Sequence, residues 1–247
     1  GVLAASALSV VALCAAGTMS QVRYWKNSIA AFQHAVDVHP NDVYARNTLG
    51  LLLADQGDLS GGMAQCSKAL DLAPDYFLAH HNMGVLLGRL GRKEEAMGHL
   101  TRAVQLNPGH ADTHNNIGIL LAAGGNTAGA IVEYSEALRL RPDFPEAHNN
   151  LGISLAGSAK TAEAFRHYLE ALRLRPDYAL AHNNMANLLA AEGRTGEAAS
   201  HYEAALRIKP DLAEARLGLG RLVGMEGKTG EMMAEVNEAL RIDSGSA

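Results

Sequence analysis

Six of the seven prolines in this chain stand at Pro40, Pro74, Pro108, Pro142, Pro176 and Pro210, 34 residues apart each time. Only Pro145 is off the beat. A self-similar period of this length marks a repeat architecture, and it constrains the fold more than any other feature. Other columns keep the same register. Gly50, Gly84, Gly118, Gly152 and Gly220 form one, with Ala186 in the gap. Ala69, Ala103, Ala137, Ala171, Ala205 and Ala239 form a second, and Ala96, Ala130, Ala164 and Ala198 a third. Aromatic residues are only 5% of the chain. Close packing through small side chains therefore fits helices better than a sandwich or barrel.

The unit 145–178 shows how each column acts. Pro142 cannot extend a helix, and Pro145 suits the first turn of a new one. A first helix is predicted from about Pro145 to Ser158. Ala147, Leu151, Gly152, Ser154 and Leu155 make its two adjoining packing stripes. Gly152 lets a partner helix approach the backbone. The turn that follows carries Gly57, Gly91, Gly125, Gly193 and Gly227 in the other units, and glycine accepts the left-handed conformation that ends helices. A second helix is predicted over about Thr161–Leu174, with Ala164, Tyr168 and Ala171 as its packing face.

Leu151-Gly152, Ala164, Tyr168, Ala171 and Pro176 resemble the signature of the tetratricopeptide repeat family. The resemblance implies an all-α solenoid, a right-handed superhelix of antiparallel helix pairs. It covers six units (43–76, 77–110, 111–144, 145–178, 179–212, 213–246), preceded by a lone second helix at 23–42. Terminal units depart from the pattern: Gly62 and Cys66 in the first, Met232 and Val236 in the last, and Ser244 where a seventh proline is due. Solenoid ends are expected to be atypical.

A net charge of −5 with no Lys/Arg cluster argues against a nucleic-acid partner. Cys14 and Cys66 form neither a metal spacing nor a disulfide framework. Residues 1–22 carry no charge and are followed by Arg23, Tyr24, Trp25 and Lys26. Such an apolar run with an aromatic and basic flank reads as the end of a transmembrane segment, which would place the chain at a membrane. A signal peptide without its basic start and a buried first helix are the alternatives. The opening Gly1 suggests a fragment or processed form. Arg23-Tyr-Trp-Lys-Asn-Ser28, with Phe32 and His34-Ala35, resembles the junction in membrane glycosyltransferase-like proteins with tetratricopeptide tails. That resemblance implies an extracytoplasmic recognition arm whose catalytic part lies elsewhere; Arg23 and Lys26 hint instead at a cytoplasmic flank.

No phosphate loop and no nucleophile motif occurs, so neither catalysis nor a cofactor is expected of these residues. His80, His114, His148 and His182 share one column. Equivalent residues on neighbouring repeats are separated by about 8–10 Å. One metal ion, needing bonds of about 2.0–2.1 Å, cannot be shared along that column. The histidines are read as packing and hydrogen-bonding groups.

The asparagines carry the functional expectation. Asn82, Asn116, Asn150 and Asn184 share one position; Asn47, Asn115, Asn149 and Asn183 stand one residue earlier. With the packing stripes assigned, these positions are left for the inner face of the superhelix. An asparagine amide offers both donor and acceptor, which matches a peptide backbone. Beside them run Leu51, Val85, Ile119 and Ile153, over a low floor of Ala54, Gly88, Ala122, Ala156 and Ala190. This ladder resembles that of the protein O-linked N-acetylglucosamine transferases, which implies a groove for extended polypeptide. The competing reading is that the asparagines satisfy backbone groups or each other between helices. Thr48 and Gly218 break the ladder at its ends.

Overall fold

The computed structural model describes residues 28–225 and 227–243. The apolar run, Cys14 and the Arg23–Lys26 flank lie outside the described residues. Among the described residues there are thirteen helices and no strands. Helix α1 (Ser28–Val38) is followed by six hairpins. These are α2 (Val43–Asp55) with α3 (Leu59–Leu72), and α4 (Phe77–Arg89) with α5 (Lys93–Leu106). Then come α6 (Ala111–Ala123) with α7 (Thr127–Leu140), and α8 (Pro145–Gly157) with α9 (Thr161–Leu174). Last are α10 (Ala179–Ala191) with α11 (Thr195–Ile208), and α12 (Ala213–Met225) with α13 (Thr229–Asp243). The hairpins stack as two compact units, one ending at Gly109 and one beginning at His110.

Local chemistry sets the hairpin ends. Asp42, Asp58 and Asn126 cap α2, α3 and α7 by accepting from Ala45, Gly61 and Gly129 amides. The turn glycines expected from the sequence adopt φ between 75° and 92°. In the turn between α8 and α9 the same place is held by Ala159, at φ 58°. A Cβ in the left-handed region costs about 1–2 kcal/mol.

In the second unit a continuous core joins Tyr134, Leu151, Tyr168, Met185, Leu189 and Tyr202. Gly118 and Gly152 earn their place in it: a Cβ on either would come within 2.6 Å of the Tyr134 or Tyr168 ring of the same repeat. Burial pushes the Tyr134 phenol up to about 12 and Tyr168 higher still. Repeat 179–212 solves the same packing problem differently. Ala186 occupies the glycine position and is fully buried. The Tyr202 ring lies instead against Gly218 of the next repeat, where no side chain would fit beside it. Its hydroxyl donates to Asn187 Oδ1 at 2.6 Å. Ala186 and Gly218, two separate departures from the repeat, are thus one substitution in structural terms.

In the first unit the smaller Cys66 and Leu100 hold the aromatic position, both buried. Burial pushes the Cys66 thiol up to about 11. Arg–Glu pairs three residues apart run along the second helices, as in Arg139–Glu136 and Arg173–Glu170. Each holds its carboxyl below the usual range by hydrogen bonding, and all are solvated. They add little to stability.

Candidate functional site

The first helices α6, α8, α10 and α12 stack side by side in the second unit, as do α2 and α4 in the first. Their asparagines do not line up as one open row. Asn82, Asn115, Asn149 and Asn183 are buried, only 3–6% exposed. In the first unit Asn82 Nδ2 donates to Asn47 Oδ1 at 2.8 Å. In the second, Asn150 donates to Asn115 at 3.0 Å and Asn184 to Asn149 at 2.9 Å. This corrects the placement of these four residues on the open face: spanning the seam between adjacent first helices takes their amides out of solvent. The bonds realise the competing reading, in which asparagines satisfy each other.

Asn116 stands apart. It is half-buried, and its amide bonds to no side chain among the described residues. It lines a cavity of about 530 Å³ together with Asp112, Arg141, Phe144, Glu146 and Arg175. Arg141 donates to Asp112 at 2.7 Å and Arg175 to Glu146 at 2.5 Å. The Arg141 guanidinium lies 3.7 Å over the Phe144 ring, and its buried Nε meets no acceptor. One turn along the helices from the asparagines, Ile119 and Ile153 are 42% and 47% exposed. Val85, in the first unit, is half-buried. The second unit therefore presents polar, charge-alternating ground around a free amide, next to two solvent-facing isoleucines.

The ladder's end is also defined. Asn183 Oδ1 is buried and has no hydrogen-bond partner. The residue that would donate to it, by the spacing of the other pairs, is Gly218. Beside Gly218, Asn187, Tyr202, Arg221 and Met225 line a smaller cavity of about 280 Å³.

The histidine column is packed as expected, but sequence reasoning missed its partners. His80, His148 and His182 meet His99, His167 and His201 on the second helix of their own hairpins, Nδ1 to Nδ1 at 2.9–3.0 Å. His114 meets Glu133 instead, at 2.7 Å. The signal was present in the sequence, since these partners all fall 19 residues downstream. Among the described residues no cluster of three or more potential metal ligands occurs, and no helix is long and apolar enough to cross a membrane.

Tetratricopeptide repeat models match residues 24–77, 149–213 and 183–247, and two further repeat models match 77–110 and 120–157. The chain belongs to the tetratricopeptide repeat family. No curated protein matches it. Among solved structures it is similar to the APC/C hetero-tetramer Cut9–Hcn1, with a TM-score of 0.82 at 18% identity over 88% of this chain and 43% of that one. The chain thus spans less than half of that relative. It is also similar to PilF of Pseudomonas aeruginosa, with a TM-score of 0.71 at 22% identity over 78% of this chain and 88% of that one. YrrB, described as a tetratricopeptide repeat protein with an unusual peptide-binding site, gives 0.57 at 22% identity over 75% and 95%.

Proposed function

We propose that this chain is a non-catalytic protein-interaction scaffold that holds extended polypeptide on the first-helix face of its second unit. The observation that carries the reading is Asn116: a half-buried amide, bonded to no side chain among the described residues, beside the exposed Ile119 and Ile153. Its donor and acceptor would take a peptide backbone, and the isoleucines would take apolar side chains. The family membership and the peptide-binding site named for YrrB support it. Of the original ladder, Asn150 and Asn184 remain half-exposed and border the track, while the buried asparagines hold its floor rigid. The alternative reading, a recognition arm of a larger membrane enzyme tethered through residues 1–22, is carried by the sequence alone and leaves the side of the membrane open.

The test uses peptides selected from a display library against the full chain. Asn116→Ala should weaken binding about tenfold with little change in melting temperature, since one or two backbone bonds contribute about 0.5–1.5 kcal/mol each. Ile119→Ser should weaken it further for apolar peptides only. Full-strength binding by Asn116→Ala would remove the site.

A further inference from the structure

One bridge recurs in every hairpin. The fourth residue of each repeat faces the residue 19 positions later on the second helix. The six pairs are Arg46–Gln65, His80–His99, His114–Glu133, His148–His167, His182–His201 and Arg216–Glu235. The first residue also reaches back to a proline carbonyl six residues upstream. Arg46 does so to Pro40, His80 to Pro74, His148 to Pro142, His182 to Pro176 and Arg216 to Pro210. The bridge therefore ties the incoming loop, the first helix and the second helix together. Arginine performs it in the terminal repeats and histidine in the four inner ones, facing a second histidine in three of them.

The proton inventory of the histidine version is fixed by these bonds. A carbonyl oxygen only accepts, so Nε2 of His80, His148 and His182 carries hydrogen. A neutral ring has one N–H, so Nδ1 of each carries a lone pair. The opposing Nδ1 of His99, His167 and His201 must then be the donor. The rings are 5.2 Å apart at their centroids in all three pairs. The 2.9–3.0 Å between nitrogens and the two ring radii account for nearly all of that, so the nitrogens lie close to the line joining the rings. That is the geometry of a shared proton; a metal ion bound by both nitrogens would sit off the line and, with bonds of about 2.0–2.1 Å at a tetrahedral angle, hold them about 3.3 Å apart.

We propose that the three histidine pairs are acid-sensitive latches that hold the hairpins of repeats 77–110, 145–178 and 179–212 shut only while each pair keeps a single hydrogen between its rings. A first extra proton can enter at the outer Nε2 of the second-helix ring without breaking the bridge. The bridge itself needs Nδ1 of the first-helix ring as its acceptor: a hydrogen there would set two N–H groups against each other. His99, His167 and His201 are each held below the ordinary histidine value, by burial first and by the partner ring second. The surrounding carboxylates oppose this: Glu95 for His99, Glu163 and Glu170 for His167, Glu197 for His201, with Arg166 acting alongside the partner of His167. Glu95, Glu170 and Glu197 are themselves held by Arg92, Arg173 and Arg194. Since folded-state values lie below unfolded ones, the unfolded chain takes up more protons. The stabilisation is whole above the ordinary histidine value of about 6.5 and is lost as the pH falls below it. His148 and His182 immediately precede Asn149 and Asn183, so the latches sit directly behind the seam of the first helices.

The experiment is thermal melting of the full chain from pH 7.5 to 5.0, alongside a variant carrying the terminal bridge in all three places. That variant is His80→Arg, His148→Arg and His182→Arg with His99→Glu, His167→Glu and His201→Glu. The wild type should lose roughly 5 °C or more over this range, and the variant clearly less. Imidazole nitrogen NMR gives a second readout that needs no variant: at pH 7.5, three rings should be protonated at Nδ1 and their partners at Nε2. If the variant does not fold, His167→Gln alone should remove part of the pH slope. An unchanged slope in whichever variants fold, or six rings all protonated at Nε2, would overturn the proposal. None of these readouts depends on a bound peptide, so their failure leaves the groove assignment standing.

Discussion

Repeats 145–178 and 179–212 are built from nearly the same residues and close differently. In the first, Tyr168 lies over its own Gly152 and Asn149 accepts from Asn184 of the following repeat. In the second, Ala186 blocks that seat, Tyr202 turns onto Gly218, and Asn183 Oδ1 is left without a donor. A single methyl group at the seat moves an aromatic ring across a repeat boundary. It also costs the seam one hydrogen bond. Solenoid repeats are therefore not interchangeable beads: a substitution is answered in the neighbouring repeat, because that is where its contacts lie.

The sharpest way to break this comparison is to restore the repeat pattern one half at a time. Gly218→Asn alone should destabilise by about 3 kcal/mol, because its side chain must displace the Tyr202 ring from a filled core. Added to Ala186→Gly, the same change should cost far less, since the ring can then take the seat used by Tyr168. A double-mutant cycle by chemical denaturation measures this; simple additivity would show that the two positions are not coupled. Next comes the seam. Asn184→Ala strands the buried oxygen of Asn149 and should cost about 1–3 kcal/mol. Asn183→Ala removes an oxygen that already lacks a donor, and should be nearer neutral. Equal costs would mean that the hydrogen bond contributes nothing beyond packing. The smallest effect concerns the turns. Ala159 at φ 58° stands where repeat 179–212 has Gly193 at φ 76°. Ala159→Gly should stabilise by about 1 kcal/mol, by relieving the left-handed strain. Gly193→Ala should lose a comparable amount.

The helices were legible because their signals are local. Pro142 and Pro145 set the start of α8, and the small residues Gly152, Ala164 and Ala171 mark where helices touch. Predicted ends at Ser158 and Leu174 compare with Gly157 and Leu174 in the structure. The site was harder to read. Asn115 and Asn116 are adjacent in sequence and fell in the same stripe, yet one is turned into the seam and the other onto the face. A stripe fixes a direction around a helix to within one residue, and here one residue separates buried from exposed. The histidine bridges escaped for a different reason. A column compares the same position in successive repeats, whereas the bridge joins two positions within one repeat.

The missing donor at Asn183 has a mechanical meaning. Consecutive first helices from α6 to α10 are tied by side-chain bonds at Asn115–Asn150 and Asn149–Asn184, and that tie is absent at the next seam, between α10 and α12. A tensile load applied at the carboxyl end would meet first the seam that lacks this tie. Repeat 213–246 should peel away at low force as a separate step, like a perforated tab. The hairpins behind it, and the groove face they carry, would stay intact until a higher force is reached.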